Sequence, residues 1–185
     1  MSSITERFPI TETDYQLLED QFEDLCNYQS WQLIRKNSRN NHTNDQEDVA
    51  QEMRIALLEA GSYYKRQTYI ESCLKACKEF SQDKFINSII EELWFLWKNK
   101  TRHGARRQKF GLYQENLLDK LVLKIVPEDK RPNPNQPLKL NTEFRNYAKS
   151  VTWNRQKNIG KRITREKSIR TGLVSLSEYD YLSGM

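Results

Sequence analysis

The stretch DQEDVAQEMRIALLEA, residues 45–60, decides the fold class. Val49, Met53, Ala56, Leu57 and Ala60 recur at helical spacing and form one apolar stripe. Asp48, Gln51, Glu52 and Glu59 point elsewhere, and Leu58 stands among these polar positions instead of on the stripe. Such a helix buries one side in a core. Its acidic outer side either is solvated, as charge runs usually are, or holds a partner. Asn44 or Asp45 can cap the helix, the early acids Glu47 and Asp48 suit its positive end, and Gly61 suits its stop.

Outward from this stretch the chain reads as helices. Residues 14–28 predict a helix with Leu17, Leu18, Phe22 and Leu25 inward. Residues 30–39 predict a second, short one with Trp31 and Ile34 in the core, and NNHTN at 40–44 is a turn by composition. Helices follow at 63–80, 82–99 and 112–126. The C-terminal half of the second of these (Leu93, Trp94, Phe95, Leu96, Trp97) is apolar nearly all round, which predicts burial on several sides. A basic connector, KNKTRHGARRQKFG, spans 98–111 without an acid, and VPEDKRPNPNQP at 126–137 reads as an extended linker. Asn141 or Thr142 caps a last long helix, about 142–165, and an irregular tail closes the chain. No strand and no internal repeat emerge, so the expected class is all-α.

The chain has 185 residues, 30% charged and 37% hydrophobic, which is polar, but 11% aromatics argue against wholesale disorder. Its net charge of +5 is unevenly spread. Residues 1–30 hold seven acids against Arg7 alone, whereas 145–170 hold nine bases against Glu166 alone. An acidic front and a basic back suggest two different partners, the second a nucleic acid. Three cysteines (Cys26, Cys73, Cys77) and no signal peptide suit a reducing cytoplasm, and no run reaches the length of a membrane span. Cys73 and Cys77 lie one turn apart, but only His42 and His103 could complete a zinc site, so no metal and no cofactor is expected. No nucleophile–base pair, phosphate loop, GxGxxG or HExxH occurs, and a non-enzymatic role is expected.

The last helix carries more chemistry. Phe144, Ala148, Val151 and Ile159 share an inward face. Trp153 falls opposite, with Lys149, Gln156, Lys157 and Gly160 one turn away and Lys161 and Arg162 continuing the basic run. Lysines neutralise phosphates, and an exposed indole stacks on an unpaired base. On spacing alone, Trp153 could equally pack beneath the helices of an insert at 80–126, with the lysines merely solvated.

EDVAQEMRIALLEA at 47–60 resembles the polymerase-binding helix of bacterial sigma factors, with its pattern ED-hydrophobic-x-QE, four free positions, then LL-x-A. TEFRNYAKSVTWNRQKNIGKRITREKS at 142–168 resembles the next element of sigma region two, an F-x-x-Y helix followed by a basic stretch. The closer likeness is to the small late-transcription sigma factors of tailed phages. The matched pieces cover 30–66 and 140–170, somewhat over a third of the chain.

The resemblance implies a region-two-like helical bundle without enzymatic activity, acting in the host bacterial cytoplasm. It implies that Asp48, Gln51 and Glu52 grip the clamp helices of the largest subunit of RNA polymerase core, with Arg54 and Leu58 at neighbouring contact positions. It implies that Phe144 and Tyr147 engage and melt an AT-rich minus-ten-like promoter element by trapping a flipped base. Lys149, Trp153, Gln156, Lys157, Lys161 and Arg162, read from their spacing and charge, are expected to join them on the DNA. Two departures stand out. Where primary sigma factors carry two consecutive tryptophans, this chain has Ser150 and Val151, and residues 66–140 separate elements that normally follow closely.

The expected organisation is therefore N-terminal helices (1–79), an inserted helical pair (80–126), a Pro-rich linker (127–140), the promoter-binding helix (141–170) and a tail (171–185). Beyond 170 there is no room for the helix-turn-helix that reads the upstream promoter element. The tail's Leu176, Tyr179, Tyr181 and Leu182 resemble the terminal peptide with which late phage sigma factors bind a sliding clamp. A tail that folds back on the core is the alternative there. The alternative for the whole chain is a general basic DNA- or RNA-binding protein without polymerase contact.

Overall fold

A computed structural model describes residues 7–37, 46–98 and 110–183, with side chains described as far as Ile169 except Asn37 and Lys167. Five α-helices are present and no strand occurs among the described residues: α1 (Glu12–Asn37), α2 (Gln46–Phe80), α3 (Lys84–Lys98), α4 (Leu112–Ile125) and α5 (Thr142–Ser183), with a short 3-10 turn at Glu128–Lys130. The all-α expectation holds.

Caps set several of the starts. The Asp14 carboxylate accepts from the Thr11 amide at 3.0 Å while Thr11 Oγ1 accepts from the Asp14 amide at 3.2 Å, a reciprocal box at the head of α1. Asp83 Oδ1 accepts from the Phe85 amide at 2.7 Å to open α3. Asn141 Oδ1 accepts from the Phe144 amide at 2.8 Å, so Asn141 is the cap of α5.

Several boundaries differ from the sequence reading. The two helices expected at 14–28 and 30–39 are one, α1, as far as Asn37, and residues 38 and 39 lie outside the described residues. Ser30 is buried, and its hydroxyl donates to the Asn27 carbonyl at 2.8 Å, which keeps it inside the helix. Leu33 takes the core position, whereas Trp31 and Leu17 are exposed and Ile34 is half-buried. Gly61 does not stop α2. It lies within the helix between buried Ala60 and Ser62, where packing outweighs the roughly 1 kcal/mol helical cost of glycine. Helix α5 runs to Ser183, so the tail is helical and not irregular. Helix α3 buries one side only (Ile90, Leu93, Trp97) and exposes Phe85 and Phe95, not the several buried sides expected.

The chain divides into two compact units that do not follow the expected segments. One comprises Ile10–Gly61 and Lys139–Met185, the other the residues up to Pro9 with Ser62–Leu138. The boundary therefore falls inside the long helix α2, not at residue 80.

The first unit is built from α1, the N-terminal part of α2, and α5. Its buried residues include Leu18, Phe22, Cys26 and Leu33 from α1, the whole stripe Val49, Met53, Ala56, Leu57 and Ala60 from α2, and Phe144, Ala148, Ile159 and Ile163 from α5. Phe22 meets Phe144 edge to face, with centroids 6.0 Å apart. Gly160 lets α1 and α5 approach closely: a Cβ there would stand 3.3 Å from Leu33 Cδ1.

The second unit packs Ile70, Cys73, Leu74 and Cys77 of α2 against Ile90, Leu93 and Trp97 of α3 and Leu118, Leu121 and Val122 of α4. A polar cluster crosses it. Arg66 and Arg7 both donate to the buried carboxylate of Glu115, and Asp119 accepts from Arg7 and, at 3.0 Å, from the Tyr69 hydroxyl. Lys65 Nζ donates to the Pro9 carbonyl at 2.9 Å. Two cations on adjacent positions of α2 thus hold the N-terminal segment and α4 to the same helix.

Candidate functional site

The two motif-bearing helices lie antiparallel in the first unit. Glu52 of α2 accepts from Arg162 of α5, and Glu59 accepts from Arg155 at 3.0 Å. Positions ascend along α2 as they descend along α5. The acids of one motif and the bases of the other therefore share a seam.

Asp48, Gln51 and Ile55 are exposed on the outer side of α2. Ile55 is 45% exposed, and its helical neighbours at three to four residues are Gln51, Glu52, Leu58 and Glu59. It is the apolar residue on the acidic face that sequence reasoning missed. Leu58, singled out instead, is half-buried in a groove with Tyr15, Leu18, Cys26 and Leu57. Both residues lie off the α2 stripe, and helical spacing would have marked Ile55 equally well.

Arg54 is an internal clip. It donates to Glu47 and, at 3.3 Å, to Gln51, and stands 3.7 Å from Glu23 on α1. These carboxylates, the hydrogen bond to Glu47 foremost, raise its proton affinity further. A side chain so engaged joins α1 to α2.

On α5 the expected DNA-facing set splits. Phe144 is fully buried against Phe22, and Gln156 is buried with its amide donating to the Gln29 carbonyl at 2.7 Å. Both are core residues because they lie on the arc that also holds Ala148, Thr152 and Ile159. Tyr147 is half-buried. Trp153 is 46% exposed and so is not packed into the core. Lys157 Nζ sits 5.4 Å from the indole centroid, and Lys149, Lys161 and Arg162 are exposed on the same helix. From Phe144 to Arg165 the helix carries no acid, so this surface is cationic with an aromatic at its edge. Leu176, Tyr179, Tyr181 and Leu182 lie on the helical backbone of α5, and their side chains fall outside the described residues.

The cysteines are packed as small apolar groups. All three are buried, and burial pushes the thiols up to about 11 for Cys26 and Cys77 and about 12 for Cys73. Among the described residues no group of three or more His, Cys, Asp or Glu is placed to hold a metal ion. None of the described helices is long and apolar enough to cross a membrane.

No protein-family model matches the chain, and no similar curated protein or solved structure was found.

Proposed function

We propose that this chain is a phage sigma factor that binds host RNA polymerase core and directs it to late promoters. Asp48, Gln51 and Ile55, with Glu52 at their edge, form the acidic and apolar face that meets the polymerase clamp helices. Trp153 and the lysines around it engage the promoter's AT-rich minus-ten-like element and hold it open, by phosphate neutralisation and base stacking. Helix α5 then carries the residues of the C-terminal tail to a sliding clamp. A tether of this kind raises local concentration and can offset a small DNA footprint. The observation that carries the reading is the antiparallel pairing of the two motif helices through Glu52–Arg162 and Glu59–Arg155. It brings the acidic α2 motif and the basic α5 motif into one compact unit although residues 66–140 separate them in sequence.

A second reading is a basic DNA- or RNA-binding protein without polymerase contact. It is favoured by the same ion pair, because Arg162 already occupies one of the two acids expected to grip the clamp. Capture of the chain by purified core polymerase separates the two. The sigma reading expects stoichiometric binding that Asp48→Lys and Ile55→Arg abolish. Failure of the wild-type chain to bind core, with retained DNA binding, decides for the second reading.

A further inference from the structure

Helix α1 of the first unit carries exposed aromatics outside the two motif stretches 47–60 and 142–168. Tyr28 and Trp31 of α1 are 56% and 44% exposed and stack with centroids 6.2 Å apart and planes 26° from parallel. The Arg35 guanidinium lies 5.1 Å from the Trp31 centroid, and Gln32 Nε2 donates to the Tyr28 hydroxyl at 2.7 Å. Tyr28, Trp31 and Arg35 thus form a column along one side of α1. Trp153 and Lys157 repeat the arrangement on α5, with a cation four residues C-terminal to the indole and 5.4 Å from it.

Two hydrogen bonds set the register of α1 against α5. Arg145 donates to Gln21 at 3.2 Å and Gln156 donates to the Gln29 carbonyl at 2.7 Å. Lys149 and Trp153 fall between these levels on α5, and Tyr28 immediately precedes the upper one on α1. The last ten residues of α1, 28–37, carry Arg35 and Lys36 and no acid, which matches the acid-free run of α5. Exposed aromatic faces flanked by cations suit a strand with unpaired bases and a phosphate backbone. A duplex hides its base faces, so the double helix is a poor occupant.

We propose that the Tyr28–Trp31–Arg35 column is a second base-stacking site, which with Trp153 and Lys157 binds single-stranded DNA across the α1–α5 seam. A base continues the column on the open face of Tyr28, and Arg35 turns toward a phosphate. The choice of DNA as occupant rests on the promoter-opening reading, which is the source of an unpaired strand. The binding itself needs no polymerase.

Fluorescence anisotropy of the full chain with a short labelled AT-rich single strand tests this. Trp31→Ala is expected to weaken binding roughly tenfold, and Trp31→Phe to leave it within about twofold, since the smaller ring still stacks. Arg35→Gln is expected to lower the salt dependence by about one phosphate contact. Circular dichroism reports whether each variant keeps its helices, and these exposed positions should. Three results each overturn the proposal: wild-type affinity in folded Tyr28→Ala and Trp31→Ala, tighter binding of RNA of the same sequence, or no binding by the wild-type chain. Core capture on the same samples is the independent arm. A chain that binds the strand through Trp31 but not core polymerase keeps this site and loses the sigma reading.

Discussion

Glu52 and Arg162 form an ion pair that joins the helix expected to hold polymerase to the helix expected to hold DNA. Their side chains keep 31% and 54% of their exposure, so the pair sits at the surface in high dielectric. A pair of this kind contributes roughly 0–1 kcal/mol. Its weight is in the register of α2 against α5, which the neighbouring Glu59–Arg155 pair repeats two turns away on α2.

Reversing Glu52 and Arg162 separates the pair's structural part from its binding part. Glu52→Lys alone is expected to lower the urea midpoint slightly and to abolish core capture. Adding Arg162→Glu should restore the midpoint without restoring capture. Recovery of both together would mean that Glu52 acts only by positioning α2.

In the proposed function, the melting role falls to Trp153. Trp153→Ala is expected to lower promoter opening by about tenfold, the loss of one stacked base, while core capture stays near wild type. Tyr147 is half-buried, so Tyr147→Ala should reduce opening and stability together. Permanganate reactivity of promoter thymines reads opening, and a pull-down reads capture. Equal loss of both activities in Trp153→Ala would make the indole structural.

The second unit is most sensitive at Glu115, whose buried carboxylate accepts from Arg66 and Arg7. Glu115→Ala leaves Arg66 buried without its anion and is expected to cost about 3–5 kcal/mol. Glu115→Gln keeps the acceptor and should cost less. Urea unfolding followed by circular dichroism measures both. A change under about 1 kcal/mol for Glu115→Ala would show the cluster to be solvated.

Alkaline pH should unfold the chain earlier than its charge alone implies. The three thiols ordinarily titrate near 9, and burial raises them to about 11 or 12. Below pH 9 both folded and unfolded chains hold the protons, and the contribution to stability is fully present. Above it the unfolded chain ionises first, so stability falls as pH rises toward the folded values. Burial raises Tyr69 as well, which adds in the same direction. Cys73→Ala is expected to flatten the slope of urea midpoint against pH between about 9 and 11. An unchanged slope would mean that Cys73 does not carry this dependence.

Truncation after Thr171 removes Leu176, Tyr179, Tyr181 and Leu182 with the end of α5. Clamp-dependent stimulation of transcription is expected to vanish while core capture persists. Stimulation that survives the truncation would place the tether elsewhere.

Helical class, the buried stripe from Val49 to Ala60, a cap at Asn141 or Thr142, and an inward face that holds Phe144, Ala148 and Ile159 with Val151 half-buried at its edge were legible in the sequence. Periodicity and capping are local, and a residue's neighbours at three and four positions suffice to specify them. Only the tertiary structure decided which off-stripe residue of α2 reaches the surface. Leu58 lies beside Tyr15 and Leu18 of α1, while Ile55 is left open, and no local rule tells one from the other. The same holds for Arg54, taken up by Glu47, Gln51 and Glu23, and for Gln156, taken up by Gln29. It holds for the paired Glu52 and Arg162, which lie 110 positions apart. The exposed face of a helix is what its neighbours leave uncovered, and those neighbours come from distant parts of the chain.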